Sequence, residues 1–84
     1  MSSFMVILKK IKVDENVITY SYSPEGGLKT GILSYYPKED KCVVDKESGY
    51  KYEALGMHRG HAFNKIKLMY KENKFPEEVL VAWG

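Results

Sequence analysis

The chain has 84 residues, of which 44% are apolar and 29% are charged, and its net charge is +2. This composition excludes a disordered tail and suits one small core, so we predict a single domain over residues 1–84. The near balance of 13 basic and 11 acidic residues excludes the strongly basic class that binds nucleic acid by charge alone. Domains of this size often gain stability by burying apolar surface between copies, which favours self-association.

The cysteine count and the N-terminal segment indicate the compartment. Cys42 is the only cysteine, whereas small secreted domains carry even sets that form disulfides. The apolar run at residues 4–8 is followed rather than preceded by lysines, and it is too short for a signal peptide or a membrane span. We therefore expect a cytoplasmic protein that does not enter the membrane.

Short strands separated by turn residues are predicted in the first two thirds of the sequence. Residues 4–13 are apolar on both faces in their first half, which predicts an interior strand. Residues 17–23 alternate between apolar and polar and predict a hairpin partner for that strand. Further strands follow between turns rich in proline, glycine and charged residues, at residues 29–36, 42–45 and 50–55.

The spacing of apolar residues changes from two to three and four after these strands. Residues 62–70 repeat at helical spacing, which predicts an α-helix over about residues 60–73. Gly60 is the predicted N-terminal cap, with His58 as the alternative. Asn73 is predicted to end the helix in the left-handed conformation.

The C-terminal segment returns to an extended pattern. Residues 78–83 are apolar on both faces, which predicts a buried strand, although residues 76–78 could instead begin a short helix. One helix cannot enclose a core alone. The pattern therefore favours an α+β fold, a small antiparallel sheet of about five or six strands in a meander, with the helix on one face and a C-terminal strand. The alternative is a small β-barrel with one helix.

The start of the predicted helix is the most site-like cluster, because His58, Arg59 and His61 stand together there. Free backbone N–H groups at a helix N-terminus, with these side chains beside them, would favour an anion or a small ligand. The alternative is a helix start that is exposed to solvent and binds no ligand. A zinc site would need two further ligands that the sequence does not place nearby, so we predict neither a metal nor another cofactor.

Aromatic residues suggest a contact surface. Seven residues are tyrosine, and Tyr20 with Tyr22, and Tyr50 with Tyr52, are each predicted to share a strand face. Such pairs stabilise a small sheet, form the apolar patch of a protein interface, or stack single-stranded bases. Trp83, in the apolar C-terminal strand, is a further interface candidate.

Three hypotheses about function follow. The leading one is a cytoplasmic protein-interaction module that pairs with itself as a homodimer or binds another protein. It is not an enzyme, since no nucleophile and base stand in a catalytic arrangement. The alternatives are weak binding of single-stranded nucleic acid by the tyrosines and the lysine-rich helix, and anion or small-ligand binding at His58, Arg59 and His61.

Overall fold

The structure is a computed structural model that describes residues 3–53 and 56–84. Its elements in chain order are β1 (Phe4–Val13), β2 (Ile18–Pro24), β3 (Gly31–Tyr36), a 3-10 helix (Pro37–Glu39), β4 (Lys41–Lys46), α1 (Met57–Glu72) and β5 (Glu78–Trp83). The bounds of β1 and β5 match the predicted ones, and those of β2, β3 and β4 differ from them by one or two residues at an end.

The five strands form one antiparallel sheet in the order β4-β3-β2-β1-β5. The first four strands are neighbours in chain order, as in a meander, and α1 then carries the chain across the sheet so that β5 pairs with β1. In the described residues β4 and β5 are the two outer strands, so the sheet is open. The predicted α+β fold is confirmed, and the alternative of a closed barrel is wrong.

The core lies between α1 and one face of the sheet. Alternate residues of a strand share a face, so every second side chain of β1, β2 and β3 points toward the helix. The helix contributes one apolar stripe, as its spacing predicts. The buried apolar set comprises Val6, Leu8, Ile18, Tyr20, Tyr22, Leu33, Tyr35, Ala62, Ile66 and Met69.

Helix α1 begins at Met57, a few residues before its predicted start. Its N-cap is Gly56, in the left-handed conformation with φ 64°, so the prediction of Gly60 or His58 as the cap is wrong. Asn73 is left-handed, with φ 54°, and ends the helix as predicted. In the described part of the chain, no helix is long and apolar enough to cross a membrane.

The strand predicted at residues 50–55 is not found in its described part. Lys51 and Tyr52 lie in a turn, and the N–H of Glu53 donates to the carbonyl of Tyr50 at 3.2 Å. Gly49, with φ 78°, bends the chain just before this turn. The last two residues of the predicted strand, 54 and 55, lie outside the described residues.

No described helix or strand covers the sheet face opposite α1, where the β2–β3 turn at Gly26 packs against Ile7 and Met5, and the centre of this face is polar. The hydroxyls of Thr19 and Ser34 lie 2.9 Å apart, and those of Ser23 and Thr30 lie 3.1 Å apart. Ser34 also donates to Asp45. These hydrogen bonds satisfy the hydroxyl groups within the sheet, so this open face does not need a covering layer at its centre.

Candidate functional site

A carboxylate from the loop before α1 occupies the start of the helix. Glu53 Oε1 accepts the backbone N–H of Arg59 at 2.9 Å, and Glu53 Oε2 accepts that of His58 at 3.2 Å. These amides belong to the group that a helix leaves unpaired, and a negative charge is favourable there. Glu53 therefore fills the position in which the sequence analysis placed an external anion.

His58 is buried between two carboxylates. Its side chain is 4% exposed, with Nδ1 2.6 Å from Glu53 Oε2 and Nε2 2.8 Å from Glu25 Oε2. Only the imidazolium form carries a donor on both nitrogens, so that form satisfies both contacts. Donation by His58 and by the backbone N–H of Met5 holds the pKa of Glu25 below its ordinary value. The cluster joins the β2–β3 turn, the loop before α1 and the helix itself.

Arg59 and His61 point to other neighbours. The Arg59 guanidinium forms an ion pair with Glu47. The His61 ring stacks on Trp83, with ring centroids 4.0 Å apart and an interplanar angle of 16°. The structure thus places the three predicted ligand residues in one helical turn but directs them to different partners rather than to one common ligand position.

Tyr20 and Tyr22 lie in the core with fully buried side chains. The hydroxyl of Tyr20 donates to the carbonyl of Pro76 at 2.7 Å, and the hydroxyl of Tyr22 accepts the N–H of Ser48 at 3.1 Å. Neither ring is accessible to a base or to another protein in this fold. Of the roles that the sequence left open for these two tyrosines, packing within the fold is the one observed, and the interface and stacking roles are wrong for both.

Tyr50 and Tyr52 contact each other edge to face, with centroids 5.7 Å apart. Tyr52 is 66% exposed, and the ammonium of Lys51 lies 5.1 Å from the centroid of its ring. One exposed ring beside one lysine is a much smaller stacking surface than the predicted set of four tyrosines. The nucleic-acid hypothesis therefore loses its main support.

Strand β5 lies at an edge of the sheet, although its sequence predicts a buried strand. Val79, Val81 and Trp83 face α1 and are half-buried. Leu80 and Ala82 lie on the open face, where Leu80 is 60% exposed. The prediction of burial is wrong because β5 has a neighbour, β1, on one side only. A strand that is apolar on both faces therefore stands where solvent reaches it.

One hydrogen bond shows which backbone groups of β5 point away from the sheet. The N–H of Lys10 donates to the carbonyl of Glu77 at 2.8 Å, which continues the β1–β5 register by one pair. Hydrogen-bonded pairs alternate along an antiparallel ladder, so the odd-numbered residues of β5 bond to β1. The even-numbered residues direct their N–H and carbonyl groups away from the sheet: Glu78, Leu80 and Ala82.

The opposite outer strand, β4, differs in charge and regularity. It carries Lys41, Asp45 and Lys46, and its register with β3 shifts between Ile32 and Leu33. Charges and irregular pairing are common means of preventing an edge strand from pairing with another chain. Strand β5 has a continuous register with β1, and its single charge is Glu78 at its first residue. Of the two edges, β5 is the one suited to accept another strand.

Sequence reasoning named Trp83 but missed Leu80, Glu25 and Glu53. Leu80 belongs to the same apolar run as Trp83, and only the strand order shows that it is exposed. Glu25 and Glu53 precede His58 by 33 and 5 residues. No local spacing rule connects residues at those separations to a helix start.

Comparison with protein-family models, with curated proteins and with solved structures finds no match to this chain. The function must therefore be argued from geometry. The cluster at the helix start uses its charges to hold segments of the chain together. The β5 edge directs backbone groups and apolar side chains toward solvent, so it is the stronger candidate for a functional site.

We predict that Glu53→Ala destabilises the fold much more than Glu47→Ala. The Glu53 side chain is 7% exposed and accepts from two helix N–H groups and His58, whereas the Glu47 side chain is 64% exposed. Loss of a buried cap that leaves donors unpaired costs about 1–3 kcal/mol, and loss of an exposed ion pair costs less than about 1 kcal/mol. Urea unfolding of both variants measures the difference. Equal losses would show that Glu53 is not the cap.

We also predict that Glu25→Gln reduces the loss of stability in acid. A carboxyl group whose pKa is lower when folded stabilises the fold above its unfolded value, here the ordinary 4.5, and loses that contribution as the pH falls through the lower folded value. The free energy of unfolding should therefore fall less steeply in the variant below about pH 5. Glu15→Gln, at an exposed position in the β1–β2 turn, is the control. Parallel pH profiles for Glu25→Gln and the wild type would contradict the role of Glu25.

Proposed function

We propose that the protein is a small, non-enzymatic interaction module of the cytoplasm that binds an extended segment of a polypeptide along β5. The observation that carries the proposal is the character of this edge, which is apolar on both faces and has outward N–H and carbonyl groups. Addition of a strand to such an edge gives affinity through main-chain hydrogen bonds and specificity through alternate side chains. The free thiol of Cys42 fits a reducing compartment.

The side chains around β5 offer contacts above and below an added strand. On the open face, Leu80 lies opposite Ile7 of β1, and Ala82 lies opposite Met5. On the helix face, the half-buried valines and Trp83 form a second row. An added strand with apolar residues on both faces would cover both rows, and burial of apolar area favours binding.

We expect a labelled peptide with the sequence of residues 77–83, flanked by lysines for solubility, to bind the dilute protein. Fluorescence anisotropy should rise to saturation as protein is added. Proline at the position of Leu80 in the peptide should abolish binding, because it removes a backbone donor from the ladder. Leu80→Lys in the protein should weaken binding by about tenfold or more, since it removes apolar contact at the edge.

Leu28→Lys is the matched control, because Leu28 is fully exposed in the β2–β3 turn and lies outside the proposed contact strand. This variant should bind the peptide as the wild type does. The proposal fails if Leu80→Lys and the wild type bind equally, or if the proline-containing peptide binds as well as the original.

A further inference from the structure

We infer that the segment bound along β5 is β5 of a second copy of this chain, paired antiparallel across a two-fold axis beside Leu80. The inference rests on the proposed function and names its partner. An edge strand of this kind fits a strand that is also apolar on both faces. Within residues 78–83, every residue after Glu78 is apolar. Strand β5 of a second copy is therefore itself a strand that is apolar on both faces.

The other edge of the molecule is a poor partner for β5. Pairing of β4 with β5 would place Lys41, Asp45 and Lys46 beside an apolar strand, where charges lose hydration without gaining partners. Such unlike-edge pairing would also continue from copy to copy as an open filament. Pairing of β5 with β5 joins identical edges and closes after two copies, with the charged β4 strands at the outside.

The outward backbone groups select the register. Hydrogen-bonded pairs in the new ladder must join the outward residues Glu78, Leu80 and Ala82 of one copy to those of the other. With Leu80 opposite the partner's Leu80, Glu78 lies opposite the partner's Ala82. This register uses every outward group of β5 and forms about six main-chain hydrogen bonds. A register centred on Val81 would leave Glu78 without a partner inside the strand.

This pairing also accounts for the exposed leucine. A two-fold axis perpendicular to the sheet keeps corresponding side chains on one face, so both helices lie on the same side of a sheet continuous across the two copies. On the open face, Leu80 would lie between Ile7 of its own β1 and the partner's Leu80. The strand that the sequence predicts to be buried is then buried by the second copy.

Oxidative crosslinking tests the register directly. Leu80→Cys would be made in a Cys42→Ser background, so that the introduced thiol is the only one. Hydrogen-bonded residues opposite each other on antiparallel strands have Cα atoms about 5.5 Å apart, within the range of a disulfide. We expect rapid formation of a covalent dimer by Leu80→Cys. Val81→Cys and Leu28→Cys, in the same background, should form little, because neither lies opposite itself in this register.

Sedimentation equilibrium of the wild type complements the crosslinking. We expect a dimer that dissociates on dilution, and Leu80→Lys should weaken dimerisation by about tenfold or more while Leu28→Lys does not. Crosslinking by Val81→Cys in place of Leu80→Cys would overturn the register, and equal crosslinking by Leu28→Cys would overturn the interface.

A monomeric wild type together with no crosslinking at Leu80→Cys would overturn the inference that the partner is a second copy. If the β5 peptide still binds in that case, the proposed function stands and the partner is a different protein. If the peptide also fails to bind, the proposed function fails with it.

Discussion

Pairing between the first strand and the last strand is the constraint on which the rest of the structure depends. Strand β1 has β2 on one side and β5 on the other, so it lies inside the sheet. To bring β5 back antiparallel to β1, the chain must cross the sheet, and α1 makes that crossing over the core. The segment between α1 and β5 is anchored as it returns, since the hydroxyl of Tyr20 donates to Pro76 and the ammonium of Lys10 donates to Phe75 at 3.0 Å. The position of β5 is thus fixed by its pairing with β1 and by the hydrogen bonds that hold the segment before it.

The other end of α1 is fixed by charge. The Glu53 carboxylate accepts the first N–H groups of the helix, and His58 joins that carboxylate to Glu25. Removing one member of such a buried cluster leaves the others without partners, which costs more than the intact cluster contributes. The cluster at the helix start, which the sequence suggests as a ligand site, is therefore better explained as a set of contacts that hold α1 on the sheet. The surface proposed for binding lies elsewhere, along β5.

The spacing of apolar residues, two in strands and three or four in the helix, predicted most of the elements. This worked because each pattern depends only on residues that are close together in the sequence. The bounds of β1, β5 and the end of α1 at Asn73 followed from such patterns. The start of α1 did not, since its N-cap Gly56 has no capping side chain and the first N–H groups are accepted instead by Glu53 in the preceding loop. Nor could alternation show which face of β2 the helix would cover, and this is why a surface role for Tyr20 and Tyr22 stayed open beside a packing role.

The order of the strands in the sheet was the other feature that local sequence patterns could not predict. An apolar run predicts that a strand is buried but not which neighbours bury it. In β1 the prediction of an interior strand is confirmed by its two neighbours. In β5 the same kind of pattern occurs with a single neighbour, and this mismatch between sequence and position is the basis of the proposed pairing. A central strand's sequence at an edge is the pattern expected of a strand that pairs with another chain.

Amide hydrogen exchange in β5, measured by NMR over a range of protein concentrations, tests this account most directly. The amides of Val79 and Val81 point to β1 and should exchange slowly at every concentration. The amides of Leu80 and Ala82 point outward, so they should exchange rapidly in dilute solution and become protected as the concentration rises and a second β5 covers them. Rapid exchange of Leu80 and Ala82 at every concentration would contradict the account.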